Sequence, residues 1–341
     1  MKKLWLLVVL VLCLVSTAYA ADKSTKYTSG DYTYVLLEDG TAEITKYKGK
    51  AEILAIADQL DGHPVSSIGA FAFYGRDFII AIIPQSVVSI GSEAFSKCEE
   101  LLDITIPDSV TTLGERAFNG CKNMISVTLP AGLTELPVGI FNMCESLTSV
   151  TIPESVTSIG MAAFAGCTGL TEFVIPEGIT EIPEYMLSGC TGLTSVEIPA
   201  GVTLIGKNAF EKCTGLTSAV IHEGVTIVST GMFSYCEALV DVSIPSTVTF
   251  IGDNAFSQCN SLKTVTIPEG VAALSNTAFA FCRSLESVSI PASVTWIGRR
   301  AFDYCPNLVS ITVPEGSYAA QYCKDNNLPY TYPDANDWLL N

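Results

Sequence analysis

Prolines stand at positions 84, 107, 130, 153, 176, 199, 245, 268, 291 and 314, every spacing a multiple of 23, and His222 fills the one missing slot. Cysteines keep the same step, at 98, 121, 144, 167, 190, 213, 236, 259, 282 and 305, with Phe three residues before each except at Leu187. Written from Leu101, the unit is L-x-x-I-x-I-P-x-x-V-x-x-L-G-x-x-A-F-x-x-C-x-x. A unit this short cannot bury its own apolar face, so a fixed period of this size predicts a solenoid whose stacked coils share one continuous core. The length of 341 residues would otherwise suggest about two domains, but the periodicity argues for one elongated body.

Within a coil, residue types predict local structure. In Leu147 to Ile152, Val150 and Ile152 alternate with Ser149 and Thr151, the period of a half-buried strand. Pro153 lacks the N–H that would continue the ladder. Gly160 suits a position with positive φ, and Ala163, Phe164 and Cys167 are expected to close the coil as a short helical or 3₁₀ segment. The fold class is therefore an α/β repeat solenoid: right-handed, with parallel strands on one face and short helical or 3₁₀ segments on the other.

Both ends carry capping signals, which an open solenoid requires. Residues 32–37 and 41–47 flank Asp39-Gly40, a strong hairpin signal, and an irregular first coil follows. Downstream, residues 317–326 have helical composition, and residues 328–332 read as an edge strand. At the amino terminus, Lys2 and Lys3 precede an apolar run from Leu4 to Val15 and an Ala18-Tyr19-Ala20 site, which reads as a cleaved secretory signal. The expected organisation is a signal peptide over 1–20, a hairpin cap with the irregular coil over 21–77, the solenoid over 78–316, and a cap and tail over 317–341. No later run is long enough to span a bilayer, so no membrane insertion is expected once the signal is removed.

The signature I-P-x-S-V-T-x-I-G-x-x-A-F-x-x-C, as in Ile152 to Cys167, resembles the BspA-like, treponemal-type leucine-rich repeats of bacterial secreted and surface proteins. The resemblance covers about residues 41 to 332. It implies a secreted or cell-surface, adhesin-like binding protein. Its partner would be an extracellular protein, either host matrix or another bacterial surface protein, with a glycan as the alternative ligand. Fold alone does not assign that function.

Composition removes other classes. With 35 acidic against 18 basic side chains, a net charge of −17 repels nucleic acid and anionic membrane surfaces. The sequence holds two histidines and no H-E-x-x-H, P-loop, dinucleotide or EF-hand pattern, so neither enzyme activity nor a cofactor or metal is expected. Cysteines in a fixed column beside Phe read as small buried hydrophobes. Their parallel Cβ vectors suit disulfides badly, and Cys323, outside the column, is the thiol expected to be exposed. Asp108, Glu154, Glu177, Glu223, Glu269 and Glu315 share one slot and read as a solvated acidic edge.

Two surfaces remain as binding candidates. The outward strand positions form a Ser/Thr lattice, including Thr151 and Thr266, which Glu172 and Glu197 interrupt. The slot before the second inward Ile is polar in early coils but carries Leu204, Ile227, Phe250, Ala273 and Trp296 later, an apolar stripe suited to a protein contact. The Gly slot alternates, with Pro137, Pro183, Ser229 and Ser275 replacing Gly in every second coil, which predicts two kinds of coil. Acidic charge favours a monomer.

Overall fold

The computed structural model describes residues 25–333; the leader read at 1–20 and the tail beyond 333 lie outside them. The chain winds into a parallel β-solenoid capped at both ends. At the amino end, Tyr27–Ser29, Tyr32–Leu36 and Ala42–Tyr47 form an antiparallel meander. Asp39 holds its turn by accepting the Thr41 N–H at 2.9 Å. Ala42–Tyr47 then pairs in parallel with His63–Ile68, which converts the meander into the first rung of the solenoid. At the far end, the helix Tyr318–Asp325 is capped by Ser317, whose Oγ accepts the Ala320 N–H at 3.1 Å. Tyr330–Thr331 closes the last rung by pairing with Ser310–Thr312.

Most coils contribute two strands rather than one. The first precedes the Pro slot, as in Asp103–Thr105 and Ser126–Thr128, which pair in parallel in register. The second is a dipeptide ending at the inward Ile or Leu, as in Ser89–Ile90 and Thr112–Leu113. Proline punctuates the first ladder as expected, but the second ladder was hidden in a pattern too short to show alternation.

The opposite face is not helical. In residues 161–166 and their counterparts the chain makes consecutive tight turns, with Tyr318–Asp325 the helix among the described elements. Ala163, Ala165 and Cys167 donate three residues back within their own coil, while Ala162, Phe164 and Gly166 donate to Glu184, Met186 and Ser188 of the next. A helix would spend every N–H within its own coil; this alternation satisfies those of residues 162–167 while tying the coils together. It requires left-handed backbone twice per coil, as at Ala162 (φ 55°) and Gly166 (φ 74°), which no helix tolerates.

The glycine at 160 also has a different reason from the one its type suggests. Its φ is not in the left-handed region; a Cβ there would lie 2.4 Å from the backbone nitrogen of Val138 in the preceding coil. Glycine is demanded by close approach of backbones, and the Gly160 N–H donates to Leu136 O at 2.7 Å.

The core is a set of columns. Phe73, Phe95, Phe118, Phe141 and Phe164 stack ring on ring, and after Leu187 the stack resumes from Phe210 to Phe302, with centroids 5.0 to 5.7 Å apart. The adjacent cysteines are unpaired, as expected, and buried from Cys98 to Cys282, but they are more than small hydrophobes. Each thiol donates to the carbonyl of the Phe, or of Leu187, in the preceding coil at 3.1–3.2 Å, as Cys144 does to Phe118 and Cys213 to Leu187.

Candidate binding surfaces

The apolar stripe sits on the outer side of the second ladder. Ile227, Phe250, Ala273 and Trp296 are paired residue to residue along it. Their alternate neighbours Val228, Ile251, Leu274 and Ile297 point into the core, so the pleat turns the stripe outward. Leu204, Ile227, Phe250 and Trp296 are 36 to 49% exposed, a column of large apolar side chains with Ala273 as its shallow point. Nothing in a single repeat demands apolar residues here, because Ser89, Thr112 and Ser158 hold the same slot in early coils.

The strand-face candidates separate into different surroundings. Thr151 and Glu172 line one cleft of about 790 Å³, with Ser149, Glu154, Val174 and Glu177. Glu197 lies one coil further and meets His222 Nε2 at 2.9 Å, so the residue in the missing proline slot holds one of the two lattice-breaking glutamates. Thr266, in the well-paired strand Thr264–Thr266, is exposed but far along the face from the other three.

The cleft exists because the first ladder is absent there. The strand expected over Leu147–Ile152 does not form, nor does its counterpart over 172–175; the sheet ends at Ser126–Thr128 and resumes at Ser195–Ile198. Val150 is half-buried where Val127 and Val196 are buried. Phe173 stands in the Val slot and packs edge-on against Phe164 at 4.9 Å and 65°, in the coil where Leu187 replaces the column phenylalanine. A large ring has moved from the turn side of the core to its strand side, and the strands there no longer close to pairing distance. Leu187 was visible as an exception in the sequence; its partner Phe173 passed as an ordinary apolar residue.

The second ladder breaks where Pro137, Pro183 or Ser229 follows the dipeptide strand. The two prolines have no N–H to give the carbonyl below. Ser229 bonds the Ile205 carbonyl through its hydroxyl instead. Ser275 keeps its backbone bond to Ile251 O at 2.8 Å, and the ladder survives there. The predicted alternation of coils is therefore realised in hydrogen bonding at three of the four slots.

The acidic slot is used structurally in part. Glu223 accepts the backbone N–H of Ser246 and of Thr247 in the next coil, and these bonds hold its carboxyl below the usual range. Among the described residues no His, Cys, Asp and Glu group is arranged to hold a metal ion.

The thiol expectation needs one correction. Cys323 is buried, covered by the packing of its own helix against the last coil, and burial raises its pKa to about 11. Among the described cysteines Cys305 is the accessible thiol: it ends the column, is only partly covered, and the neighbouring Cys282 thiol holds its pKa below the ordinary value. Desolvation pushes the column thiols the other way, to about 12 at Cys98, Cys167 and Cys213. Thiolate is the reactive form, so alkylation of the native protein at neutral pH is expected to modify Cys305 and spare Cys98 to Cys282 until the chain is unfolded. Peptide mass mapping checks this, and equal modification along the column would contradict it.

One further feature had no clear sequence signal. Phe281 and Tyr304 stack at 4.6 Å and 7°, with Tyr304 67% exposed beside a depression of about 600 Å³ that Arg283 and Asp303 also line. Both residues are left-handed, φ 63° and 59°, where other coils use Gly120, Gly166 and Gly189.

Comparison with known proteins agrees with the repeat anatomy. The profile of the BspA type leucine rich repeat region matches residues 66–190, 134–262 and 226–327. The crystal structure of a leucine rich cell surface protein from Faecalibacterium prausnitzii A2-165 is 31% identical with a TM-score of 0.57, over 87% of this chain and 97% of that one. A leucine-rich repeat protein from Bacteroides ovatus is 25% identical with a TM-score of 0.59, over 90% and 100%. The pneumococcal vaccine antigen PcpA shares the fold, with a TM-score of 0.59 at 15% identity over 91% and 99%. No curated protein matches the chain. Among the described residues, no helix is long and apolar enough to cross a membrane.

Proposed function

The chain belongs to the BspA-type leucine-rich repeat family, and from that premise we propose that it is an exported, surface-exposed protein that binds a second extracellular protein without catalysis. The family and its cell-surface relative support a surface, interaction-based role. The observation that carries the finer reading is the stripe of Ile227, Phe250 and Trp296, held in register along the second ladder, with Leu204 in the same slot of the preceding coil, all open to solvent on one edge of the solenoid. Aromatic side chains on a rigid scaffold lose little entropy on binding and contribute most of the energy at protein interfaces.

The test is saturable binding to panels of matrix proteins and bacterial surface proteins at physiological salt, with wild type and the Phe250→Glu/Trp296→Glu variant. These side chains are outside the core, so the variant should melt as wild type does. Its binding is expected to weaken by at least about 2 kcal/mol per hot-spot residue. Unchanged affinity would remove the stripe from the reading.

The stacked Phe281–Tyr304 pair favours a second reading, a glycan-binding module, because an exposed ring face beside Arg283 and Asp303 can take a sugar's C–H face and its hydroxyls. Glycan binding abolished by Tyr304→Ala, with the stripe variant unaffected, would decide for it.

A further inference from the structure

Between residues 147–169 and 170–192 both strand ladders are missing at once. No backbone hydrogen bond joins 149–152 to 172–175, and none joins Ser158–Ile159 to Glu181–Ile182. Every other adjacent pair of coils from Phe78 to Asn307 keeps at least one of the two ladders. Here the hydrogen bonds between the coils lie on the turn side, from Ala162 to Glu184 at 3.0 Å, Phe164 to Met186 at 3.0 Å and Gly166 to Ser188 at 2.7 Å, with the Cys190 thiol on Phe164 O at 3.2 Å. The two coils are joined along their turns and unpaired along their strands.

The open side has the properties of a strand acceptor. The backbone groups of 149–152 and 172–175 make no ladder bonds, and unpaired main-chain rows are templates for another strand. Four residues on each side span about 13 Å, at about 3.3 Å per residue. The cleft between them measures about 790 Å³, within the range of sites that enclose a ligand. Val174, 78% exposed, offers an apolar contact at its mouth. Glu154, Glu172 and Glu177 line it with no lysine or arginine among the lining residues, in a chain of net charge −17.

We propose that this seam binds an extended cationic peptide segment of a partner protein by β-strand addition, with main-chain bonds to the open coils and lysine or arginine side chains on the three glutamates. Main-chain pairing supplies affinity in this mode, and alternate side chains supply selection. The exchange of Phe173 for Val and Leu187 for Phe against the consensus is what keeps the seam open. The site is independent of the apolar stripe.

The experiment uses the chain from residue 21 and a fluorescent seven-residue peptide of alternating Lys and Val. Its controls are a Glu–Val peptide and a Lys–Val peptide N-methylated at alternate residues, which keeps charge and side chains but removes donors. Saturable binding of the Lys–Val peptide is expected, weakened by salt, undetectable for Glu–Val and at least about tenfold weaker on N-methylation. The Phe173→Val/Leu187→Phe variant restores the consensus and closes the ladder. It is expected to melt no lower than wild type and to lose the peptide, whereas Phe250→Glu/Trp296→Glu retains it. Absence of binding, equal binding of the N-methylated peptide, or full binding by the closed variant would each overturn the proposal.

Discussion

Phe233→Ala is expected to lower the stability of the solenoid by about 3–5 kcal/mol, the usual cost of emptying a fully buried phenylalanine site. The ring is sandwiched between Phe210 at 5.4 Å and Phe256 at 5.6 Å, and it has no solvent exposure. Neighbouring coils cannot collapse into the void, because their own rings are fixed by the same stack and their backbones are tied by Phe233 N–H to Ala255 O at 2.8 Å. Solenoid stability is a chain of nearest-neighbour interfaces, so one substitution damages two of them. Denaturant unfolding followed by far-ultraviolet circular dichroism should show a lower midpoint or a separate early transition. Phe233→Leu should cost less, since Leu187 already occupies this column. A loss below about 1 kcal/mol for the alanine variant would mean that the column repacks, against the close packing expected of interiors.

The second large effect concerns a change of one methyl group. Gly114→Ala would place a Cβ 2.2 Å from the Ser92 nitrogen and 2.4 Å from the Gly91 carbonyl carbon. Those are backbone atoms that no rotamer change can move aside, so the coils must part. Parting them breaks the Gly114 N–H bond to Ile90 O, 2.7 Å, and the short ladder of Thr112–Leu113 on Ser89–Ile90. Overpacking of this kind costs about 1–3 kcal/mol, with about 1 kcal/mol more for the lost bond. Gly132→Ala is the control, because a Cβ there meets nothing within 4 Å and its φ lies outside the left-handed region. It should be neutral or stabilise by about 0.4–1 kcal/mol through the unfolded chain. Similar melting temperatures for the two variants would refute the close-approach account of the glycine slot.

The contrast between these glycines shows how far residue type alone reaches. That Gly114 and Gly160 are required was readable from their recurrence, but the reason lies in a neighbouring coil 23 residues away. The helical expectation failed for a related reason. Ala163, Phe164 and Cys167 have helical spacing, yet their N–H groups are divided between their own coil and the next, a choice that propensity cannot express. Cys323 looked exposed because it lies outside the column, and the packing of the terminal helix decided otherwise.

The stripe was legible by residue number, since polar side chains give way to Leu204, Ile227, Phe250 and Trp296 in a single slot. Its exposure was not, because the second ladder that turns it outward is only a dipeptide wide. The seam was not legible. Thr151 and Glu172 were marked for breaking or belonging to a lattice, and the strand expected at Thr151 is the one that fails to form.

The period, the inward columns of Phe, Cys and Ile and the strand-ending prolines are legible from residue type alone, because each depends on one residue's size or missing donor repeated at a fixed step. Where the coils stay joined is set by their stacking. Pairing is a relation between two coils, and whether the backbone at 149–152 reaches its neighbours depends on the bulk of Phe173, the space left at Leu187 and the missing N–H of Pro183, three departures in one coil whose effects combine only when the coils are stacked.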